Sequence, residues 1–173
     1  MSQTRRLAAI FAADVAGYSR LMGADEEGTL ERLKALRCEL VDPKIAEHHG
    51  RIVKTTGDGM LVEFPSVIDA VRCTVEVEQA MPERNIGVAP DSRIELRIGI
   101  NLGDVIVEGD DLYGGGVNIA ARGAGGVAAA GSSGTARKVW PDLKFADSLI
   151  VCGRPCAAGL QRTDLVPRAS HDL

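Results

Sequence analysis

Residues 51–64 read RIVKTTGDGMLVEF, two short apolar runs flanking Thr56, Gly57, Asp58 and Gly59. Asp-Gly between β-type runs predicts a tight hairpin, because the turn needs positive φ and glycine adopts it without steric cost. A hairpin here forces antiparallel pairing into whatever sheet the chain builds. The same stretch carries Asp58 at the turn and Lys54 on the entering run. An acid at a tight turn with a lysine nearby suits a charged ligand. It equally suits an ordinary surface hairpin with solvated charges.

The rest of the chain adds elements to this hairpin. Residues 7–15 (LAAIFAADV) form a continuous apolar run broken by Asp14, as expected of a buried central strand. A carboxylate there is costly to bury without a partner, unless it caps the turn that follows. Residues 25–48 read as helix, with Leu30, Leu33, Leu36 and Leu40 at helical spacing and acidic residues at the start. Pro43 predicts a kink or break, and Gly50 a C-terminal cap. His48 and His49 point in different directions on a helix and read as solvated rather than as metal ligands.

Ser66 and Asp69 have the spacing of a helix cap, and an apolar stripe from Val67 runs to about Met81. Residues 82–91 read as loop. Ile94, Leu96, Ile98 and Ile100 alternate as one face of a strand; residues 101–104 predict a turn and residues 105–107 a returning strand. A glycine-rich loop over 110–116 leads into a helix from Val117. Interleaved strands and helices with two hairpins predict an α+β sandwich. Its sheet is mixed and mostly antiparallel, with helices packed on one face.

A chain of 173 residues suffices for one domain with a substantial core. A net charge of -4 speaks against a nucleic-acid partner, and 3% aromatic residues against base stacking. No apolar run has the length of a transmembrane helix, and the apolar run near the start is too short for a signal peptide and contains Asp14. Four scattered cysteines fit reduced thiols and a cytoplasmic location. Cys152 and Cys156 lack a second pair that would complete a zinc site and read as incidental.

Three segments together resemble the catalytic domain of the class III adenylate and guanylate cyclases, of bacterial type: FAADVAGYS at 11–19, KTTGDG at 54–59 and DLYGGGVNIAAR at 111–122. The resemblance covers residues 5–122, and three motifs in series are far more specific than any one of them. It implies the ferredoxin-like sandwich of nucleotide cyclases, with a catalytic domain over residues 1–147 and a divergent tail over 148–173. It also implies an adenylate cyclase that converts ATP to 3′,5′-cyclic AMP and pyrophosphate. In that scheme Asp14 and Asp58, with the backbone carbonyl of Val15, hold two Mg²⁺ or Mn²⁺ ions. Lys54 and Asp111 read the purine, a donor and an acceptor matching adenine N1 and N6. Asn118 orients the ribose, and Arg122 stabilises charge on the α-phosphate. The family further implies a homodimer, with metal and nucleotide groups of one site drawn from different subunits.

The pattern is lost over residues 123–133, which are glycine-rich and low in complexity, returns over 138–147, and is lost again from 148. No lysine after Asp147 matches the family's contact to the terminal phosphates. A catalytically impaired nucleotide-binding or dimerisation module of cyclase ancestry is therefore the competing expectation.

Overall fold

The computed structural model describes residues 4–109, 111–124 and 149–152. Strand β1 (Thr4–Val15) is the centre of the sheet. It pairs antiparallel with β3 (Gly59–Phe64) on one side and with β4 (Leu96–Glu108) on the other. β2 (Arg51–Thr56) lies outside β3 and completes the expected hairpin. The far edge of β4 takes β5 (Asp111–Tyr113) antiparallel and β6 (Leu149–Cys152) parallel. β6 falls in the stretch that sequence placed beyond the domain, yet it joins the same sheet.

The continuous apolar run of β1 reflects burial on both faces. Ala9, Phe11, Ala13 and Val15 enter a large core with α1 (Tyr18–Ala24), α2 (Glu26–Leu36), α3 (Asp42–Glu47) and α4 (Val67–Arg84). Phe11 meets Phe64 edge-on, with centroids 5.9 Å apart. Ala8, Ile10 and Ala12 face the other way, against Leu61, Val105, Leu112 and Ala120 of α5 (Gly115–Ala124). Helices therefore cover both faces rather than one. Among the described residues no helix is long and apolar enough to cross a membrane.

Asp25 caps α2 by accepting from Gly28 N–H, and Ser66 caps α4 by accepting from Asp69 N–H. Other local expectations are corrected. Pro43 does not break the helix: the turn Arg37–Val41 widens to π geometry just before it, and Asp42 N–H bonds to the Arg37 carbonyl. The wide turn accommodates a ring that would clash inside a regular helix. Gly50 is not the left-handed cap residue. His49 takes positive φ (61°), while Gly50 N–H closes on the Ile45 carbonyl at 2.7 Å. Glycine is needed at 50 for space, since a Cβ would lie 2.7 Å from both Ile45 and Phe64.

His48 is not solvated either. Its side chain is largely buried, with Nε2 3.2 Å from Glu76 of α4. Lys44 reaches Glu76 and Glu47, both at 2.8 Å. Burial pulls the Glu76 carboxyl upward, but hydrogen bonds from Lys44 and His48 outweigh it and hold the carboxyl below its ordinary value. Nearby, burial pushes the Cys73 thiol up to about 12, so it is a core residue and not a nucleophile. α4 continues through Pro82 to Arg84, shortening the expected loop.

The largest correction concerns residues 101–104. They form no turn: Asn101, Leu102, Gly103 and Asp104 pair with Ile10, Ala9, Ala8 and Leu7 inside one unbroken β4. A long partner strand supplies ladder bonds along the whole length, and these outweigh the local turn tendency of Asn and Gly. The reversal comes at Gly109, with φ 62°, and returns the chain as β5.

Candidate active site

Asp14 is the penultimate residue of β1 and lies opposite Arg97 of β4. Directly paired residues of antiparallel strands share a face, so both project from the α5 face and away from the core formed with α1–α4. Arg97 grips the carboxylate with two bonds, Nε to Oδ1 at 2.8 Å and Nη2 to Oδ2 at 3.0 Å. Asp58 occupies the β2–β3 turn, where Gly57 adopts φ 55°. Pairing of Met60 with Ala13 carries this turn to the end of β1. There Val15 N–H donates to Asp58 Oδ2 at 3.4 Å. Asp58 thus reaches the peptide that follows Asp14, while the Asp14 carboxylate itself is held by Arg97.

This donor set fits a hard divalent cation. Among the described residues no group of three or more His, Cys, Asp or Glu side chains forms a closed protein cage. Mg²⁺ is typically bound through one or two carboxylates, keeping waters or substrate phosphates as its other ligands. The Arg97 guanidinium on Asp14 shows that this corner already accommodates positive charge.

The remaining site residues lie on other elements. Lys54 is exposed on β2 and pairs with Leu61, which in turn pairs with Ala12 on the Asp14 face. Asp111 opens β5, exposed, and accepts from the Tyr113 hydroxyl at 3.4 Å. The Asp111 charge raises the Tyr113 hydroxyl above its ordinary value. β2 and β5 are in contact, so the strands carrying Lys54 and Asp111 come together. Gly114 (φ 136°) precedes α5, and a Cβ there would lie 3.1 Å from the Asp104 carbonyl oxygen. This close approach sets the start of α5, which carries Asn118, exposed, and Arg122 one turn later.

Arg97 is the site residue that the sequence reading missed. A signal was present, since Arg97 sits between Leu96 and Ile98 in the polar phase of the alternation. That phase places it on the face opposite the isoleucines, as it does Asp14 on β1.

A sheet centred on β1, with two aspartates at its end and a glycine-led helix beyond β5, defines the α+β class of the nucleotide cyclases. The family model for the adenylate and guanylate cyclase catalytic domain matches residues 1–132, and the chain belongs to that family. It is 52% identical over 118 residues to "Putative adenylate cyclase 3" of Rhizobium meliloti (strain 1021), covering 68% of this chain and 20% of that protein. It is 34% identical over 119 residues to "Adenylate cyclase" of Streptomyces coelicolor, covering 68% of this chain and 29% of that protein. The chain therefore spans less than a third of either relative's length. Among solved structures, an adenylate/guanylate cyclase/hydrolase from Silicibacter pomeroyi superposes with a TM-score of 0.67 at 51% identity, over 72% of each chain.

Proposed function

We propose that this cyclase domain is an adenylate cyclase that converts ATP to 3′,5′-cyclic AMP and pyrophosphate in the cytoplasm. The catalytic unit would run over residues 1–147 and take in β6 from the stretch 148–173, the rest of which would be a tail. The observation that carries the chemistry is the approach of Asp58 to the peptide that follows Asp14 at the end of β1. Two Mg²⁺ or Mn²⁺ ions bound by these carboxylates and the Val15 carbonyl would supply Lewis acidity to the ribose 3′-hydroxyl and the triphosphate.

The chain's own groups do the positioning. Lys54 donates to adenine N1 and Asp111 accepts from N6, an edge that guanine reverses. Asn118 fixes the ribose so that its 3′-oxygen faces the α-phosphorus. Arg122 carries positive charge toward the α-phosphate as negative charge develops there. The acceleration is one of orientation and charge stabilisation, without a covalent enzyme intermediate. The reading includes a homodimer in which Asp14 and Asp58 of one subunit work with Lys54, Asp111, Asn118 and Arg122 of the other.

The test is product formation from ATP and from GTP with Mn²⁺, followed by mixing of inactive variants. Cyclic AMP should form in excess of cyclic GMP. Asp14→Ala and Asn118→Ala chains, each inactive alone, should regain activity when mixed, because a heterodimer would hold one intact site. ATP binding without product would favour the impaired-module reading, and absence of rescue would contradict the shared site.

A further inference from the structure

We infer that Arg97 is a built-in cation on Asp14 that a divalent ion must displace, so that loading of this site is an exchange rather than a simple addition. The inference rests on the proposed role of Asp14 as a metal ligand. Both carboxylate oxygens are engaged, at 2.8 and 3.0 Å, in the forked geometry that guanidinium and carboxylate prefer. The register Asp14↔Arg97 places the two side chains on neighbouring strands of one face, so the pair needs no backbone movement to form. A divalent ion and a guanidinium cannot both sit close to one carboxylate without strong repulsion.

The location explains why a surrogate cation is useful. Asp58 reaches the peptide that follows Asp14, and the Asp14 side chain is only 22% exposed. A carboxylate in a partly desolvated corner is costly to leave without a counter-charge. Arg97 supplies that counter-charge when its guanidinium lies on Asp14. Its own side chain is 38% exposed, which leaves it room to swing away. Arg97 thus holds the carboxylate in place while lowering its affinity for free cations.

Mn²⁺ binding to the intact chain without nucleotide, followed by the electron paramagnetic resonance signal of the free ion, tests this directly. Arg97→Gln should bind Mn²⁺ about tenfold more tightly than the unaltered chain, a factor equivalent to one modest charge pair. Arg97→Lys, which keeps the charge and loses the fork, should fall between the two. The gain should vanish in the double variant Asp14→Asn, Arg97→Gln. If Arg97 only orients Asp14, its removal would weaken Mn²⁺ binding. Unchanged or weaker binding in Arg97→Gln, or a gain that survives loss of Asp14, overturns the inference. Thermal melts confirm that each variant is folded, and Arg97→Lys carries the test if Arg97→Gln is not. The readout needs no ATP turnover, so a chain inactive toward ATP would refute the proposed function without touching this exchange.

Discussion

Two carboxylates project from the same face of the sheet, Asp14 and Glu63, and each meets arginine in a different way. Glu63 lies opposite Ile10 and is 5% exposed. Arg51 bonds it through Nε at 3.3 Å and Nη2 at 3.0 Å, and Arg6 forms a second ion pair. Two cations enclose one anion, and the contact ties β1, β2 and β3 together. At Asp14 the compensation is thinner, with a single arginine on the carboxylate at a more open corner. The first arrangement is closed and over-compensated, as a fastening should be. The second carries no second cation on the carboxylate and keeps an accessible edge, as a cation site requires. Both are carboxylates that meet arginine; the number of arginines and the exposure separate structure from chemistry.

The largest expected effect falls on the open corner. Asp58→Asn should lower cyclic AMP formation by at least about 100-fold while shifting the melting temperature little, as for loss of one transition-state charge group. Comparable activity in that variant would break the distinction. Glu63→Gln should do the opposite. It leaves two arginines without their carboxylate and should cost about 2 kcal/mol in urea unfolding, below the usual range for a broken buried pair because both arginines reach solvent. Arg6→Met should cost less, about 1 kcal/mol, since Arg51 remains on Glu63.

The smallest effect concerns a third carboxylate, Glu76, between α3 and α4. Its folded value is depressed, so its contribution to stability is present above the ordinary carboxylate range and is lost as pH falls through the lowered value. Glu76→Gln should therefore melt lower than the unaltered chain at neutral pH. The gap should close as pH drops below about 4.5, the group's ordinary value. A gap independent of pH would mean that packing, and not the Lys44 and His48 contacts, accounts for it.

Features set by local chemistry were legible in the sequence. The hairpin around Asp58 follows from Gly57 and Gly59, the central strand from its apolar run, and the caps at Ser66 and Asp25 from side chains a few residues away. Features set by distant pairing were not. The β4 turn expected at residues 101–104 would have put Arg97 on a different hairpin from the one it occupies. The Arg97–Asp14 contact spans 83 residues and depends on the unbroken β1–β4 ladder. The π turn before Pro43 was not legible because it is a packing solution without a local signature. His48 was misread because its partner, Glu76, comes from another helix. Sequence thus gave the aspartates and the purine pair as candidates, while the arginine that distinguishes the open corner came only with the fold.

The most direct measurement sets Asp14→Asn beside Glu63→Gln in one assay of cyclic AMP formation from ATP with Mn²⁺, at a temperature where both are folded. The account predicts that Glu63→Gln, though less stable, retains product formation within a few-fold of the unaltered chain, and that Asp14→Asn forms none. Product from Asp14→Asn, or its loss from folded Glu63→Gln, would contradict the assignment of chemistry to the open corner.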